Sequence, residues 1–482
     1  MHRQHRILLF LVFFVSSQLR AQSKAKLLHT LFDSLGKAHA FNGAVLVADS
    51  GKIILEKGYG YADFESKIPM TTDTRFEIAS VSKQFTVLAI MQLHHQGKLD
   101  YDDRVTKYLP RLPYKNVTIR DLTDHASGIV DFLGWTAEQM GMAKDSYTNE
   151  DIERHLCASA PDTHFEPGTR FSYSNTNYLL LADIVARVSG VPFADYMQRH
   201  IFRKAGMHQS SIPVFKGSRF EPPAGNIARN YMFDPVTNSY RLFSKSAPVD
   251  YQRFMGGVCG PAGIKSTVGD LYKWTQALRS NILVPDSIFA AAVRPQLTKD
   301  GKDTLGYDHM AYSFGWLITH QGKQTYIWHN GGFGGYRSII AFYPNINRSI
   351  IILENTNQTV SPDQLCVSIM QIMNGASSIQ WPSLRKIPST IRVDSIYLKK
   401  LTGTYCMSTD PKIKMVITTR SGRLYARYLD QPVAELYPCA RDNFFFLIAD
   451  AQVKFRKKED RYVELVLVQN GRELPMTRRR NH

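Results

Sequence analysis

Two hydrophobic periods alternate along the chain, and the changes from one to the other outline its elements. Leu27, Leu28, Leu31 and Leu35 recur at helical spacing and predict an amphipathic helix over Lys26 to His39. Gly43 to Ala48 and Lys52 to Lys57 flank Asp49-Ser50-Gly51, a hairpin signature. The longest helical pattern opens at Ser80 and runs through Val87, Leu88, Ile90, Met91 and Leu93 to Gly97, a glycine placed to end it. A shorter helix in Thr118 to Ile129 is expected to stop at Gly128, with His125 in a structural role. Leu179, Leu181, Ile184, Val185 and Val188 predict another helix over Tyr178 to Val188. Tyr326 to Phe342 reads as a strand, a glycine-rich turn and a return strand. A terminal helix against an antiparallel hairpin starts a mixed helix-and-sheet arrangement, so the fold class expected is α+β.

Beyond Met373 the pattern lapses into Gly, Ser and Pro with scattered charge, and from Leu401 it resumes as short alternating strands. Six are predicted: Met415 to Thr419, Leu424 to Tyr428, Val433 to Tyr437, Asn443 to Phe446, Val453 to Arg456 and Tyr462 to Gln469. Asn470-Gly471 is a turn of the I′ kind. So many short strands in so little chain suggest a small barrel or sandwich. The domain map is a leader over 1–21, a main domain over 22–375, a linker over 376–397 and a small β-barrel domain over 398–482. Val214 to Met255 has the composition of a loop-like insertion and carries no recognisable chemistry.

Composition alters this picture in three places. Hydrophobic content of 44% and charged content of 21% are those of a globular protein. A formal charge of +17 invites a nucleic-acid reading. A basic Met1 to Arg6, the apolar run Ile7 to Val15 and a small residue at Ala21 instead form a secretory leader, with no transmembrane anchor after its cleavage. An exported, periplasmic or secreted protein is expected to meet anionic envelope polymers rather than nucleic acid, the alternative being a basic surface that serves only to solubilise. From Arg385 onward 20 Lys and Arg face 10 Asp and Glu, so any such contact belongs to the C-terminal domain. Five cysteines without C-x-x-C spacing indicate neither zinc nor a disulfide framework. A single bridge, if formed, would join Cys406 and Cys439, and no metal is called for.

The candidate chemistry starts at Ser80-Val81-Ser82-Lys83. Residues three apart on a helix share a face, which puts the Lys83 amine beside the Ser80 hydroxyl. A serine needs such a base, and a desolvated lysine can supply it. Ser23, Ser34 and Ser383 also match S-x-x-K, but only Ser80 opens a long apolar helix. Tyr173-Ser174-Asn175 follows the Pro167-Gly168 turn and precedes a helix, so Tyr173 and Asn175 can both face a cleft. Y-x-N also occurs at Tyr114, Tyr147 and Tyr343 and is weak by itself. The glycines of His329-Asn330-Gly331-Gly332 allow a ligand or another backbone to approach closely. Neither G-x-G-x-x-G nor a Walker pattern is present.

In this order and spacing the three stretches resemble the active-site motifs of serine β-lactamase-like hydrolases: class C β-lactamases, DD-carboxypeptidases, D-aminopeptidases and esterases. The resemblance covers roughly residues 26 to 372 and extends to Gly260-Pro-Ala-Gly-Ile-Lys-Ser-Thr-Val-Gly-Asp-Leu271; the fold it implies is an antiparallel sheet flanked by helices, with an all-helical lobe and the site between them. It implies Ser80 as the acylated nucleophile, Lys83 as its proton partner and Tyr173 as the second base candidate. Asn175 would bind substrate or Lys83, and the N–H groups of Ser80 and Gly332 would form the oxyanion hole. No metal or organic cofactor is implied. The C-terminal region resembles the lipocalin-like modules appended to such enzymes. The lactamases carry Lys-Thr-Gly where this chain has His329-Asn330-Gly331. With the threonine hydroxyl gone and a histidine titrating at about 6.5, the site is expected to favour short esters over penicillins. Handling of carboxylate substrates is expected to improve toward about pH 6.5, and only an inward Arg337 would supply a permanent cation. The expectation is therefore a secreted serine hydrolase of ester, D-amino-acid peptide or β-lactam bonds. The alternative is a non-catalytic envelope-binding protein retaining the penicillin-binding fold.

Overall fold

The computed structural model describes residues 23–479 except 136–137, 142–145, 214, 217–218, 221–225, 247–255, 296–298, 300–309, 322–323, 358–359, 384–385, 412, 430–432, 460 and 470–471. The leader and the Asn470-Gly471 turn lie outside the described residues. Helix α1 spans 23–37, followed by β1 (Gly43–Asp49) and β2 (Lys52–Tyr59). The remaining strands of the sheet come from late in the chain: β3 (Met310–Ser313), β4 (Trp316–Gln321), β5 (Gln324–Phe333), β6 (Tyr336–Tyr343) and β7 (Arg348–Glu354). They form one antiparallel sheet in the order β3-β4-β5-β6-β7-β1-β2.

Side-chain alternation splits the core in two. Ala44 and Leu46 of β1 and Ile351 and Leu353 of β7 face the helical lobe. Val45, Val47, Ile350 and Ile352 face the opposite layer with α1 and α7 (Pro362–Met373). Covering both faces explains why every residue of β7 is buried. The lobe holds α2 (Ser82–His95), α3 (Ile119–Thr123), α4 (Asn149–Ser159) and α5 (Asn175–Ser189), and α6 (Val268–Arg279) packs into the same core. Ser82 through Leu93 of α2 are all buried, so this helix is packed on every side. Ser80 sits in the 3₁₀ turn Ala79–Val81 that leads into it.

Two helices depart from the sequence expectation. The first, α3, opens on a Thr118–Asp121 capping box and stops at Thr123, before Gly128. His125 then turns the chain in the left-handed region, φ 55°. The second is α8 (Ser395–Leu401), which begins inside the predicted linker. Its Tyr397, Leu398 and Leu401 plug the core of the following barrel.

That barrel is closed and antiparallel: β8 (Gly403–Cys406), β9 (Lys414–Arg420), β10 (Arg423–Tyr428), β11 (Ala434–Pro438), β12 (Asn443–Phe446), β13 (Ala451–Lys458), β14 (Arg461–Gln469) and β15 (Arg472–Arg478). Pairing of Tyr405 with Arg478 and Cys406 with Thr477 closes it. Closure leaves no exposed edge strand. All five cysteines are free, so Cys406 and Cys439 are not bridged.

The insertion with no recognisable chemistry has a structural task. Its hairpin, Tyr231–Asp234 with Ser239–Leu242, docks the barrel. Buried Asp234 accepts from Arg423 of β10 at 3.3 Å. Phe233 and Ile387 pack against Tyr437, Phe445 and Leu447. Arg427 adds a bond to the Gly134 carbonyl at 2.8 Å. Among the described residues no helix is long and apolar enough to cross a membrane.

Candidate active site

Glu77 fixes the turn that presents Ser80. Its buried carboxyl accepts from Gly263 N–H at 2.8 Å and from Ala79 N–H, with Lys265 3.7 Å away. Ala79 is held at φ 47°, a left-handed conformation that a non-glycine residue adopts only under such constraint. Ser80, half-buried, follows it at the mouth of α2.

Lys83 lies one turn on and is fully buried. Its Nζ donates to Ser80 Oγ at 3.1 Å, Asn175 Oδ1 at 2.8 Å and the Pro261 carbonyl at 3.0 Å. These three acceptors use the donor capacity of an ammonium. Burial nevertheless pushes Lys83 down to about 7, with Asp131 pulling the other way. Asp131 also orients Asn175, accepting from its Nδ2 at 2.8 Å and its N–H at 3.1 Å.

Tyr173 shares a hydrogen bond with Ser80, and desolvation raises its phenol well above the ordinary value near 10. The Lys83 Nζ sits 4.8 Å from the Tyr173 ring centroid. His125 grips this segment from both sides. Its carbonyl accepts from Ser172 N–H at 2.8 Å and its Nδ1 from Ser174 N–H at 3.1 Å. The two rings lie 4.2 Å apart. His125 is thus a structural support for the tyrosine, and its left-handed turn is what ends α3 early.

The third stretch is the end of β5. Its pairing with β4 runs as far as Trp328, whereas pairing with β6 continues to Phe333. Residues 329–333 thus outrun β4 and approach the Ser80 turn. Alternation along the strand sorts their side chains. His329 turns toward Tyr173 and Tyr312, at 6.3 and 5.9 Å between centroids. At Gly331 an added Cβ would lie 2.5 Å from the Ile78 carbonyl and 2.9 Å from Ser80 N. Glycine is required there because backbone meets backbone. Gly332 follows directly.

Asn330 points to the other face of the sheet, donating to Asp363 at 3.0 Å. Arg337, paired with Gly332 across the ladder, shares that face and does not turn inward to Ser80. His329 is 2% exposed. Burial and the nearby Lys83 hold it down at about 3. The expected gain of a cation near pH 6.5 is therefore overturned, because this imidazole stays neutral throughout that range. With Nδ1 engaged by the Asn330 carbonyl at 2.5 Å, His329 offers Nε2 as a buried acceptor.

The fold thus gathers Ser80, Lys83, Tyr173, Asn175, His329, Gly331 and Gly332 about the Ser80 turn and directs the Asn330 side chain away from it, to Asp363. Sequence reasoning missed Asp131, Glu77 and the Pro261 carbonyl. Pro261 lies in Gly260-Pro-Ala-Gly263, a stretch already picked out by the resemblance. Asp131 carried no signal beyond following Ile129. Among the described residues, no cluster of three or more His, Cys, Asp or Glu is placed to hold a metal.

Comparison with known proteins identifies the family. Residues 28–367 match the Beta-lactamase family model. The chain is 30% identical over 454 residues to penicillin-binding protein 4* of Bacillus subtilis (strain 168), covering 94% of this chain and 98% of that one. It is 25% identical over 440 residues to the D-aminopeptidase of Brucella anthropi, covering 90% and 76%. The crystal structure of a penicillin-binding protein from Bacillus halodurans aligns with a TM-score of 0.57 at 28% identity, over 68% of this chain and 94% of that one. The chain belongs to the beta-lactamase family. It is a serine hydrolase of that family, with a closed eight-stranded barrel at its C-terminal end.

Proposed function

We propose that the protein is an exported hydrolase that forms an acyl-enzyme on Ser80 and acts on esters and D-amino-acid peptides in preference to β-lactams. The observation that carries this reading is a fully buried lysine amine bonded at 3.1 Å to the hydroxyl of Ser80, where burial pushes its pKa down to about 7. Neutral Lys83 takes the Ser80 proton as Oγ bonds to the substrate carbonyl carbon. The oxyanion then rests on the N–H groups of Ser80 and Gly332. Collapse breaks the bond to the leaving group, which receives the proton by way of the Tyr173 hydroxyl. Water next attacks the acyl carbon, giving its proton to the same pair and releasing acid and free Ser80. Tyr173 serves as a neutral relay, because its raised phenol is not deprotonated near pH 7. Lys83 is the base.

Export is supported by the leader pattern over 1–21. The substrate preference is supported by the D-aminopeptidase relative and by His329. A neutral imidazole in place of lysine offers no charge to the carboxylate that penicillins carry beside the scissile bond. Short aryl esters should therefore exceed penicillins and cephalosporins in kcat/KM by at least about tenfold, roughly 1.4 kcal/mol in barrier. The ratio should stay flat between about pH 6 and pH 8, because His329 does not titrate there and Lys83 serves both substrates. Steady-state kinetics on matched aryl esters and β-lactams test both points. Cephalosporin turnover above ester turnover, or a ratio swinging with pH, would reject this substrate preference.

A further inference from the structure

Arg427 reaches out of the barrel into the helical lobe. Strand alternation sends Leu424 and Ala426 of β10 into the barrel core and turns Arg423 and Arg427 outward, toward the main domain. Arg423 is tied to Asp234 of the docking hairpin at 3.3 Å. On the same face of the strand, Arg427 Nη1 donates to the Gly134 carbonyl at 2.8 Å. Gly134 is buried and ends the 3₁₀ turn Phe132–Gly134. A carbonyl at such an end has no partner inside the turn, and leaving it buried and unpaired is unfavourable. The barrel arginine supplies the partner through a charge-assisted bond.

The residue that opens this turn is Asp131. Its Oδ1 accepts from Leu133 N–H at 3.0 Å and its carbonyl from Gly134 N–H at 3.1 Å, so the two ends of the turn move together. Its Oδ2 accepts from the N–H and Nδ2 of Asn175, whose own Oδ1 accepts from Lys83. The lobe anchors the start of the turn, where Phe132 N–H donates to Thr176 Oγ1 at 3.0 Å. Arg427 anchors its far end.

We propose that Arg427 is a positioning residue for Lys83: from the barrel it holds the turn on which Asp131 aligns Asn175 and the amine. The proposal rests on Lys83 acting as the base, and it adds the barrel to the parts on which that base depends. The other titratable groups facing Lys83 are neutral near pH 7. Burial raises the phenols of Tyr173 and Tyr178 and lowers the imidazoles of His125 and His329. Among the described residues Asp131 is thus the anion that acts on the amine, raising its pKa against burial. If the turn slackens, Asp131 recedes and Asn175 loses its alignment, and both changes disfavour the ammonium. Burial also raises the Asp131 carboxyl, which the bonds from Leu133 and Asn175 oppose. Losing those bonds neutralises the anion and acts in the same direction. The midpoint for acylation must therefore fall. Loss of the arginine's charge alone would do the reverse, because one cation fewer favours the ammonium.

The test is the pH profile of Ser80 acylation by an activated ester, followed by stopped flow in the full-length chain. Arg427→Met should move the midpoint down from about 7 by about half a pH unit or more. Its plateau rate should fall roughly threefold or more as the amine loses its alignment. Arg427→Lys keeps a charged donor and should hold the midpoint within about 0.2 pH unit. Asp131→Asn should shift the midpoint in the same direction. Adding Arg427→Met to it should shift it no further, as expected for two groups that act through one contact. A lower melting temperature with an unmoved midpoint in Arg427→Met would make the arginine a fastener between barrel and lobe and overturn the proposal. So would an upward shift, which reads its charge, or a full additional shift in the double variant. An unsubstituted enzyme with no limb near neutrality would instead remove Lys83 as the base, and the role of Arg427 with it.

Discussion

Lys83→Met should lower the rate of Ser80 acylation by about a hundred- to ten-thousand-fold, the span expected when a general base is removed. Methionine matches the unbranched stem and fits a fully buried slot better than any charged replacement. The acceptors that Lys83 now serves, Asn175 Oδ1 and the Pro261 carbonyl, lose a donor, so some stability is lost as well. Circular dichroism and thermal melting separate that loss from the catalytic one. Lys83→Arg should be no better, because a guanidinium keeps its proton at every working pH. The unsubstituted enzyme should show the matching pH profile. With Lys83 at about 7, acylation should rise with pH through neutrality and level off above it. Each unit below the midpoint should reduce the rate about tenfold, since only the neutral amine accepts a proton. Burial lowers this pKa and Asp131 raises it, so Asp131 sets how far down the limb lies. Stopped-flow acylation by an activated ester across pH 5.5 to 9 reads both effects. A profile unchanged in Lys83→Met would assign the base elsewhere.

The second large effect is expected from a single methyl group. Gly331→Ala places a Cβ 2.5 Å from the Ile78 carbonyl and 2.9 Å from Ser80 N. Both are main-chain atoms in the strained turn that presents the nucleophile, so neither can rotate away. The strand end must move outward, carrying the Gly332 N–H with it. Losing one oxyanion donor costs about a hundred- to a thousand-fold in kcat. The loss should fall on kcat more than on KM, because the donor acts on charge that develops in the transition state. A purely structural effect would instead lower the melting temperature and the active fraction, leaving kcat per labelled site unchanged. Active-site titration with a fluorophosphonate makes that distinction. Gly331→Ala with normal kcat per titrated site would mean the 331–332 peptide is not part of the hole.

The sequence displayed local periodicity and motif chemistry well, and tertiary accommodation poorly. Ser80, Lys83, Tyr173 and the glycines were legible because each stands at a recognisable junction: a helix start, a loop before a helix, a strand end. Alternation alone made an all-β module legible but left barrel and sandwich both open, because β8 and β15, whose pairing closes the barrel, were not separately drawn. Helix α8 was hidden because a charged, proline-bearing stretch surrounds it, and its buried face of Tyr397, Leu398 and Leu401 has meaning only against the barrel core. The early end of α3 was invisible for a similar reason. His125 leaves helical geometry to hold Ser172 and Ser174, almost fifty residues away, and no local propensity encodes that. The His329 reading went astray on environment: the residue type suggested a switch near neutrality, and burial beside Lys83 removed it. The Asn330 side chain went to Asp363 because strand alternation, fixed by His329 and Gly331 facing Ser80, left it the opposite face.

Everything proposed for this site depends on Ser80 becoming the acyl-enzyme. The most direct measurement is to incubate the full-length protein with an activated fluorophosphonate and with a fluorescent penicillin. It is then digested, and the labelled peptide is mapped by mass spectrometry beside Ser80→Ala. One modified peptide is expected, carrying its label on Ser80, formed faster with the fluorophosphonate and absent from Ser80→Ala. Label on Ser82 or Ser174, or label persisting in Ser80→Ala, would contradict it.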